Sequence, residues 1–207
     1  MGQSQSAEIP IANPAPPAVP STTPLANEVT LGAGCYWGTE KYIVKDFQKL
    51  FPNAVKSASV GFMSPAKDHQ KNPSYRQVCS GATGHVEVLH LTLSEPEKHY
   101  EELIRFFFMF HDPTTKNRQG NDVGSQYSSF IFTHSDSQRV VAERVVRELQ
   151  GHISRGTLSS FEGTEVKTKI GEATVFYPAT EDHQNYLAKN PGGYCNHYMR
   201  FKAWPLA

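Results

Sequence analysis

Residues 29–38 read VTLGAGCYWG, and this segment indicates the first structural elements of the fold. An extended apolar lead-in runs to Ala33. After Ala33, apolar residues recur at the spacing of a helix, at Ile43, Val44, Phe47, Leu50 and Phe51. The pattern predicts a strand followed by a helix. Cys35 therefore lies in a strand-to-helix turn, at or near the N-terminus of the helix.

The surroundings of Cys35 indicate a reactive sulfur. Free backbone N–H groups and the positive end of a helix dipole favour a thiolate, so we expect a Cys35 pKa below the free value of about 8.5. Tyr36 and Trp37 can wall off an apolar pocket beside the sulfur, while Gly34 and Gly38 allow close approach of backbone and substrate. The alternative is a small, inert core residue.

The bulk composition narrows the classes of function. The chain has 207 residues, enough for one domain with a sizeable core, and its 20 basic side chains balance its 20 acidic ones. This balance argues against nucleic acid or an acidic membrane surface as the main partner. The longest aromatic and apolar run, residues 106–110, is too short to span a bilayer.

Cysteine and histidine usage favours neither a disulfide scaffold nor a metal site. The three cysteines, Cys35, Cys79 and Cys195, are too few and odd in number for a disulfide framework. The sequence has no CxxC or HExxH motif. Cys195 and His197 could make only half of a metal site with His183, so we predict no metal.

Residues 1–26 differ in composition from the rest of the chain. They hold six of the 14 prolines, one charged residue and no aromatic residue, which predicts a disordered tail. The start, MGQSQS, fits the pattern for myristoylation of Gly2, and we expect membrane attachment only if that lipid is added. We predict a single domain over residues 27–207, with a flexible C-terminal segment that carries Cys195.

The remaining patterns predict an α+β fold. Ser94 and Glu97 form a capping box for a helix that ends near residue 111, and Ser135 with Gln138 opens another that runs to residue 150, where Gly151 ends it. Extended segments are predicted at residues 54–62, 85–93, 127–133, 166–170 and 173–176, and a helical turn at 182–187. We expect a two-layer sandwich of a mixed sheet and flanking helices, followed by a coil-rich C-terminal segment.

Glu87 is a candidate acid. In the strand over residues 85–93 it shares a face with Leu89 and Leu91, because side chains alternate along a strand. A carboxyl on an apolar face has a raised pKa and can deliver a proton at neutral pH. Val86 and Val88 are also apolar, so a surface glutamate at the edge of the sheet is the alternative.

Two polar loops offer further functional groups. Residues 72–81 carry Tyr75, and residues 117–127 carry Asp122 and Tyr127. Loops on a rigid scaffold commonly present functional groups, whereas ordinary solvated turns are the alternative interpretation.

Together these residues resemble peptide methionine sulfoxide reductase A closely. The matching segments follow the order of that family, cover residues 28–198, and are residues 34–38, 73–81, 84–88, 111–127 and 177–195. The resemblance implies that Cys35 is the nucleophile and that Glu87 protonates the sulfoxide oxygen. It implies that Tyr75 and Tyr127 hydrogen-bond that oxygen and that Asp122 orients the substrate or a water molecule.

The resemblance also implies how substrate is held and the enzyme reset. Tyr36 and Trp37 would hold the sulfoxide methyl group, and Cys195 would attack the Cys35 sulfenic acid to form a disulfide. Thioredoxin would reduce that disulfide, and no cofactor is implied. The resemblance further implies a preference for the S epimer of methionine sulfoxide, both as the free amino acid and in proteins, and hence the repair of oxidised proteins. This sequence departs from the family pattern at Tyr36, where Phe is usual, and at Ser125 and Ser128, where Thr and Arg are common.

Other interpretations remain open from the residues. Cys35 with a histidine base could hydrolyse an ester or amide, or the chain could be a membrane-tethered redox sensor. We expect Cys79 to be a dispensable packing residue, with a first resolving thiol as the alternative. We expect a cytoplasmic monomer.

Overall fold

The computed structural model describes residues 23–205. The predicted tail, residues 1–26, lies almost wholly outside this range, as does Gly2. At the start of the described range, the Leu25 N–H donates to Glu97, and the Ala26 carbonyl accepts from Gln138. Within residues 23–205, no helix combines the length and apolar character needed to cross a bilayer.

A six-stranded mixed sheet forms the centre of the fold. Its main strands are β1 (Glu28–Ala33), β2 (Val55–Met63), β3 (Val86–Leu93), β6 (Ser129–Thr133), β7 (Lys169–Glu172) and β8 (Phe176–Pro178), and β4 (Arg118–Gln119) with β5 (Asp122–Val123) forms a separate ribbon. The order is β7-β6-β1-β3-β2-β8, in which β6 and β7 are parallel and all other pairs antiparallel. The two central strands, β1 and β3, are the ones that carry the site.

The packing of β3 explains why apolar and polar residues do not alternate regularly along this strand. Leu89 and Leu91 face the main core, whereas Val86 and Val88 pack into a second apolar cluster on the other side of the sheet. A strand covered on both faces is apolar at nearly every position. Glu87, next to Val86 and Val88, therefore points to the main core with the leucines.

The helices flank the sheet. They are α1 (Tyr36–Glu40), a π-helix (Lys41–Phe47), α2 (Gln48–Leu50), α3 (Tyr75–Cys79), α4 (Pro96–Phe110), a 3₁₀-helix (Ser125–Tyr127), α5 (Asp136–Ser154) and α6 (Tyr186–Lys189). The end of α4 is a run of buried aromatic and apolar side chains that fills the main core. The α+β prediction is confirmed, including the mixed sheet, the flanking helices and the coil-rich C-terminal segment.

Three local predictions were wrong. The N-cap of α4 is Glu95, which makes no side-chain capping bond. The Ser94 hydroxyl donates instead to the carbonyls of Asn53 and Ala54, just before β2. Helix α5 continues through Gly151 to Ser154. The segment 72–81, interpreted as a loop, contains α3.

The C-terminal segment is attached to the domain on both sides of Cys195. The Gln184 side chain accepts from the Val60 N–H at 2.9 Å and donates to the Val60 carbonyl at 2.8 Å, which holds the segment against β2. Further on, the Arg200 guanidinium pairs with Asp112 at 3.2 Å, and both side chains are buried. Cys195 lies between these attachments.

Candidate active site

Cys35 lies in the turn between β1 and α1, as the sequence predicts. It is the N-cap of α1 and is only 7% exposed. Gly34 before it has a φ of +92°, and a Cβ atom there would lie 2.4 Å from the Gln119 Cβ. The turn therefore requires glycine at this position, both for its backbone conformation and for its close packing.

The expectation that the Cys35 pKa is lowered was wrong for this structure. Burial and the nearby Glu87 carboxylate raise the pKa of the thiol, and they outweigh the backbone N–H groups of Trp37 and Gly38. The sequence pattern located these N–H groups but not the depth of burial. The resting sulfur is therefore a thiol whose ionisation depends on the charge of Glu87.

Glu87 is a buried acid beside the cysteine turn. Its side chain is 1% exposed, and Oε2 accepts a hydrogen bond from the Tyr36 N–H at 3.2 Å. Burial raises the pKa of Glu87 to about 8, although the Tyr36 N–H acts in the opposite direction. Since β3 is central in the sheet, the alternative of an edge glutamate on the surface is wrong. At neutral pH the protonated acid predominates.

Tyr75 is placed by the start of α3. Ser74 and Gln77 form a reciprocal capping box, in which the Ser74 hydroxyl accepts from the Gln77 N–H and the Gln77 side chain accepts from the Ser74 N–H. Tyr75 is 39% exposed, and Cys79 follows one turn later on the same helix. Burial and the nearby Cys79 side chain raise the pKa of Tyr75, so its hydroxyl keeps its proton.

Tyr127 is half-buried at the end of the 3₁₀-helix that precedes β6. Burial and the Glu87 charge raise the pKa of the Tyr127 hydroxyl, with smaller contributions from Cys79, Asp122 and Cys35. The 3₁₀-helix contacts β3, the strand that carries Glu87. Tyr127 is therefore a second protonated hydroxyl near Glu87.

Tyr36 and Trp37 form an aromatic wall together with neighbouring rings. The Tyr36 ring lies 5.9 Å from Phe62, and the Trp37 indole stacks on Tyr186 at 3.8 Å and on His183 at 5.6 Å. In the described range, the Tyr36 hydroxyl and the Trp37 indole N–H are both buried without a hydrogen-bond partner. Sequence reasoning did not assign His183 or Tyr186 to this wall.

Asp122, on β5, is bound by the C-terminal segment. Its Oδ1 accepts from the Tyr194 hydroxyl at 3.0 Å, and its Oδ2 accepts from the Asn196 amide at 2.7 Å. Cys195 lies between these two residues, and its thiol is exposed and contacts the His197 carbonyl at 3.8 Å. The segment that carries Cys195 is thus held beside Asp122.

The same segment reaches the Cys35 turn. Burial and the bond to Asp122 raise the pKa of Tyr194, and Cys35 adds a weaker electrostatic contribution. His197 bonds to the carbonyl of Ala33, two residues before Cys35. The fold therefore brings all eight predicted site residues to one end of the central strands, with the three cysteines unpaired.

The two histidines considered for a metal site make different contacts. His183 packs against Tyr36 and Trp37, whereas the His197 ring bonds to Ala33. Within residues 23–205, no group of three or more His, Cys, Asp or Glu side chains could hold a metal ion.

The comparison with known proteins agrees with this geometry. A sequence profile of the family described as peptide methionine sulfoxide reductase matches residues 27–205. The chain belongs to this family. The peptide methionine sulfoxide reductase MsrA of Polynucleobacter asymbioticus is 40% identical over 173 residues, which cover 83% of each chain. The predicted enzyme class, an oxidoreductase, is confirmed.

Solved structures of the family share the fold of this reductase. Mxr1 from Saccharomyces cerevisiae in reduced form superposes with a TM-score of 0.70 at 36% identity, over 84% of this chain and 92% of that chain. Mxr1 in complex with Trx2 matches with a TM-score of 0.51 at 24% identity, over 87% of this chain and 96% of that chain. The second match shows likeness of fold alone.

Proposed function

We propose that this reductase converts the S epimer of methionine sulfoxide, free and in proteins, to methionine. The Cys35 sulfur attacks the sulfoxide sulfur, the oxygen passes to Cys35 as a sulfenic acid, and methionine leaves as the thioether. Cys35 is oxidised by two electrons and the sulfoxide is reduced by two. The reaction repairs oxidised proteins.

Three side chains act on the sulfoxide oxygen of the substrate. Glu87 supplies a proton to the sulfoxide oxygen, because its raised pKa keeps it protonated at neutral pH, and it is reprotonated by the proton that the Cys35 thiol loses on attack. The Tyr75 and Tyr127 hydroxyls donate hydrogen bonds to the same oxygen. These donors stabilise the negative charge that develops as the sulfur–oxygen bond breaks.

The sulfur end is handled by the α1 turn. The backbone N–H groups of Trp37 and Gly38 face the Cys35 sulfur and stabilise its negative charge during attack. Protonation of Glu87 removes a repulsive charge from the same place. The Tyr36 and Trp37 rings hold the substrate methyl group, and Asp122 orients the substrate backbone or a water molecule.

Cys195 resolves the sulfenic acid. Its thiol attacks the Cys35 sulfur, a Cys35–Cys195 disulfide forms, and the oxygen leaves as water. A dithiol then reduces this disulfide by exchange and is itself oxidised to a disulfide. We infer thioredoxin as that dithiol from the family, whose yeast member Mxr1 has been solved in complex with Trx2.

The observation that carries this proposal is the placement of Glu87. The buried Glu87 carboxyl, whose pKa is raised, accepts a hydrogen bond from the Tyr36 N–H, one residue from the nucleophile. A cysteine hydrolase needs instead a histidine with a free nitrogen at the sulfur. His197, which approaches the turn, does not meet this need: its Nε2 is bound to the Ala33 carbonyl at 2.6 Å, and its Nδ1, without a partner among the described residues, lies against the Gly38 backbone.

Dithiothreitol-driven reduction of the separated S and R epimers of N-acetyl methionine sulfoxide tests the proposal. We expect many turnovers with the S epimer, far slower reaction with the R epimer, and none with Cys35→Ser. A redox sensor would consume a single equivalent, and a hydrolase would consume no dithiothreitol. Either outcome, or equal rates for the two epimers, would refute the assignment.

We propose that the reductase works as a monomer in the cytoplasm, where thiols are kept reduced. Its three unpaired cysteines suit that compartment. Fractionation of cells expressing the full chain and its Gly2→Ala variant tests this. A shift from membrane to soluble fractions caused by that variant would establish lipid attachment instead, and size-exclusion chromatography with light scattering gives the oligomeric state.

A further inference from the structure

The His197 side chain, two residues after Cys195, is buried under the Cys35 turn. Its Nε2 lies 2.6 Å from the Ala33 carbonyl oxygen, at the end of β1. A carbonyl only accepts, so Nε2 carries the proton and donates it. The ring therefore ties the C-terminal segment to the residue two positions before Cys35.

The turn is shaped to receive this ring. A Cβ atom at Gly38 would lie 2.1 Å from the His197 Nδ1 and 2.8 Å from its Cγ and Cε1, so the imidazole rests directly on the Gly38 backbone. Gly38 is in α1, three residues after Cys35. Hence His197 contacts the cysteine turn on both sides, at Ala33 before Cys35 and at Gly38 after it.

The ring is held in one neutral form. With Nε2 donating to Ala33, Nδ1 is a buried acceptor without a partner in the described part of the chain. A charged ring would have no acceptor for its second proton, and burial lowers the pKa of His197 to about 4. The imidazole therefore acts as a neutral donor with a fixed orientation.

Neighbouring contacts fix the backbone on either side of that ring. The Asn196 amide donates to the Gln119 carbonyl at 2.5 Å and to Asp122 at 2.7 Å. The Tyr42 hydroxyl donates to the His197 carbonyl at 3.3 Å. Cys195, between these contacts, is exposed at the edge of the docked segment.

We propose that His197 is a positioning residue for the resolving step, and that its insertion between Ala33 and Gly38 docks the C-terminal segment so that Cys195 can reach the oxidised Cys35. The inference rests on the resolving role proposed above for Cys195. In that step the Cys195 sulfur forms a bond to the Cys35 sulfur, the sulfur–oxygen bond of the sulfenic acid breaks, and water leaves. His197 touches none of the reacting atoms.

Docking acts on the effective concentration of the Cys195 thiol. A disulfide needs Cα atoms within roughly 4.4–6.8 Å, so an undocked segment must search for this geometry in each turnover. Loss of orientation lowers the rate of an intramolecular reaction by about 10- to 100-fold. Sulfoxide reduction itself precedes this step and does not need Cys195.

The test compares the two steps in His197→Ala. In single turnovers without reductant, we expect methionine release within about threefold of wild type but Cys35–Cys195 disulfide formation about 10- to 100-fold slower. Thioredoxin-driven turnover should fall with the disulfide rate, and dithiothreitol-driven turnover should be kept. His197→Gln, which retains a donor for Ala33, should restore part of the disulfide rate.

A matched control is His99→Ala. His99, on α4, is also a buried histidine with an unpartnered ring nitrogen, but its ring packs against Phe51. This variant should leave both steps unchanged. If His197→Ala is too unstable to assay, Tyr42→Phe removes the hydrogen bond to the His197 carbonyl and carries a loss of disulfide rate in the same direction.

Two results would overturn the role of His197: a wild-type rate of disulfide formation in His197→Ala, or equal losses in both steps of that variant. Failure of the proposed function has a different signature. In that case the wild-type protein would release no methionine, or Cys195→Ser would sustain thioredoxin-driven turnover whatever residue stands at position 197.

Discussion

Glu87 accepts a hydrogen bond from the Tyr36 N–H, one residue after Cys35, and its charge changes the proton affinity of the Cys35 thiol. The Glu87 carboxylate raises the Cys35 pKa, and both groups are buried. The site therefore avoids holding two negative charges. In the mechanism proposed above, Glu87 passes its proton to the sulfoxide oxygen as the Cys35 sulfur attacks, so the two negative charges need not coexist.

The sequence could predict the buried acid but not the state of the thiol. Glu87 shares a strand face with Leu89 and Leu91, and that periodicity is local information. The pKa of Cys35 depends on desolvation by residues from distant parts of the chain, including Glu87, 52 positions away by numbering (87 − 35). No local pattern reports such burial.

Glu87→Gln should change stability in a pH-dependent way. The Glu87 pKa is raised from 4.5 to about 8, so between these values the native state holds a proton that the unfolded state has released. The stability from this group is complete below the lower value and is lost as pH rises through the upper one. The free energy of unfolding of the variant, minus that of wild type, should therefore rise from about pH 5 to about pH 9.

Urea denaturation across this pH range measures that difference, and parallel curves would contradict a buried, protonated Glu87. The same variant should reduce methionine sulfoxide roughly 10²- to 10⁴-fold more slowly, the range for loss of a general acid. An unchanged rate in the folded variant would remove Glu87 from the chemistry.

At the scale of elements, α3 shows how a short helix places a functional group. It has five residues, too few to be stable alone, so the Ser74–Gln77 capping box and packing must hold it. The signature S-x-x-Q is visible in the sequence, as is S-x-x-E at Ser94. Only the tertiary contact of Ser94 with the Asn53 carbonyl decides that the second does not cap a helix.

Ser74→Ala should weaken the start of α3 by about 1 kcal/mol, because it removes the acceptor of the Gln77 N–H. Since Tyr75 is the first residue of this helix, we expect sulfoxide reduction to slow about fivefold. Single-turnover rates and amide hydrogen exchange over residues 75–79 measure both effects. Arg76→Ala, an exposed change on the same helix, is the control, and equal behaviour of the two variants would contradict the role of the cap.

At the scale of the whole molecule, the C-terminal segment closes the site from outside the sheet. The family resemblance predicted the function of Cys195 but not its attachments, since Arg200 and Asp112 come together only in the folded chain. The predicted mobility of the segment stays a prediction. Movement would have to break the contacts of Tyr194, Asn196 and His197, while the buried Arg200–Asp112 pair anchors the segment beyond Cys195.

Arg200→Met should be strongly destabilising. The side chains of Arg200 and Asp112 are 4% and 0% exposed, so the variant leaves a buried carboxylate without its cation, at a cost of about 3–5 kcal/mol. Arg144→Met is the matched control, because Arg144 pairs with Glu101 at the surface and should cost about 1 kcal/mol or less. Urea unfolding of both variants gives these values, and similar costs would mean that the buried pair is not an anchor.

The most direct test of the mechanism is a single turnover by Cys195→Ser without reductant, with intact mass and methionine measured together. We predict one methionine per enzyme molecule and a Cys35 that has gained one oxygen atom, whereas wild type should lose two hydrogen atoms and form the Cys35–Cys195 disulfide. With thioredoxin as the only reductant the variant should then stall. Sustained thioredoxin-driven turnover by Cys195→Ser, or a wild-type disulfide that joins Cys35 to Cys79, would contradict the account.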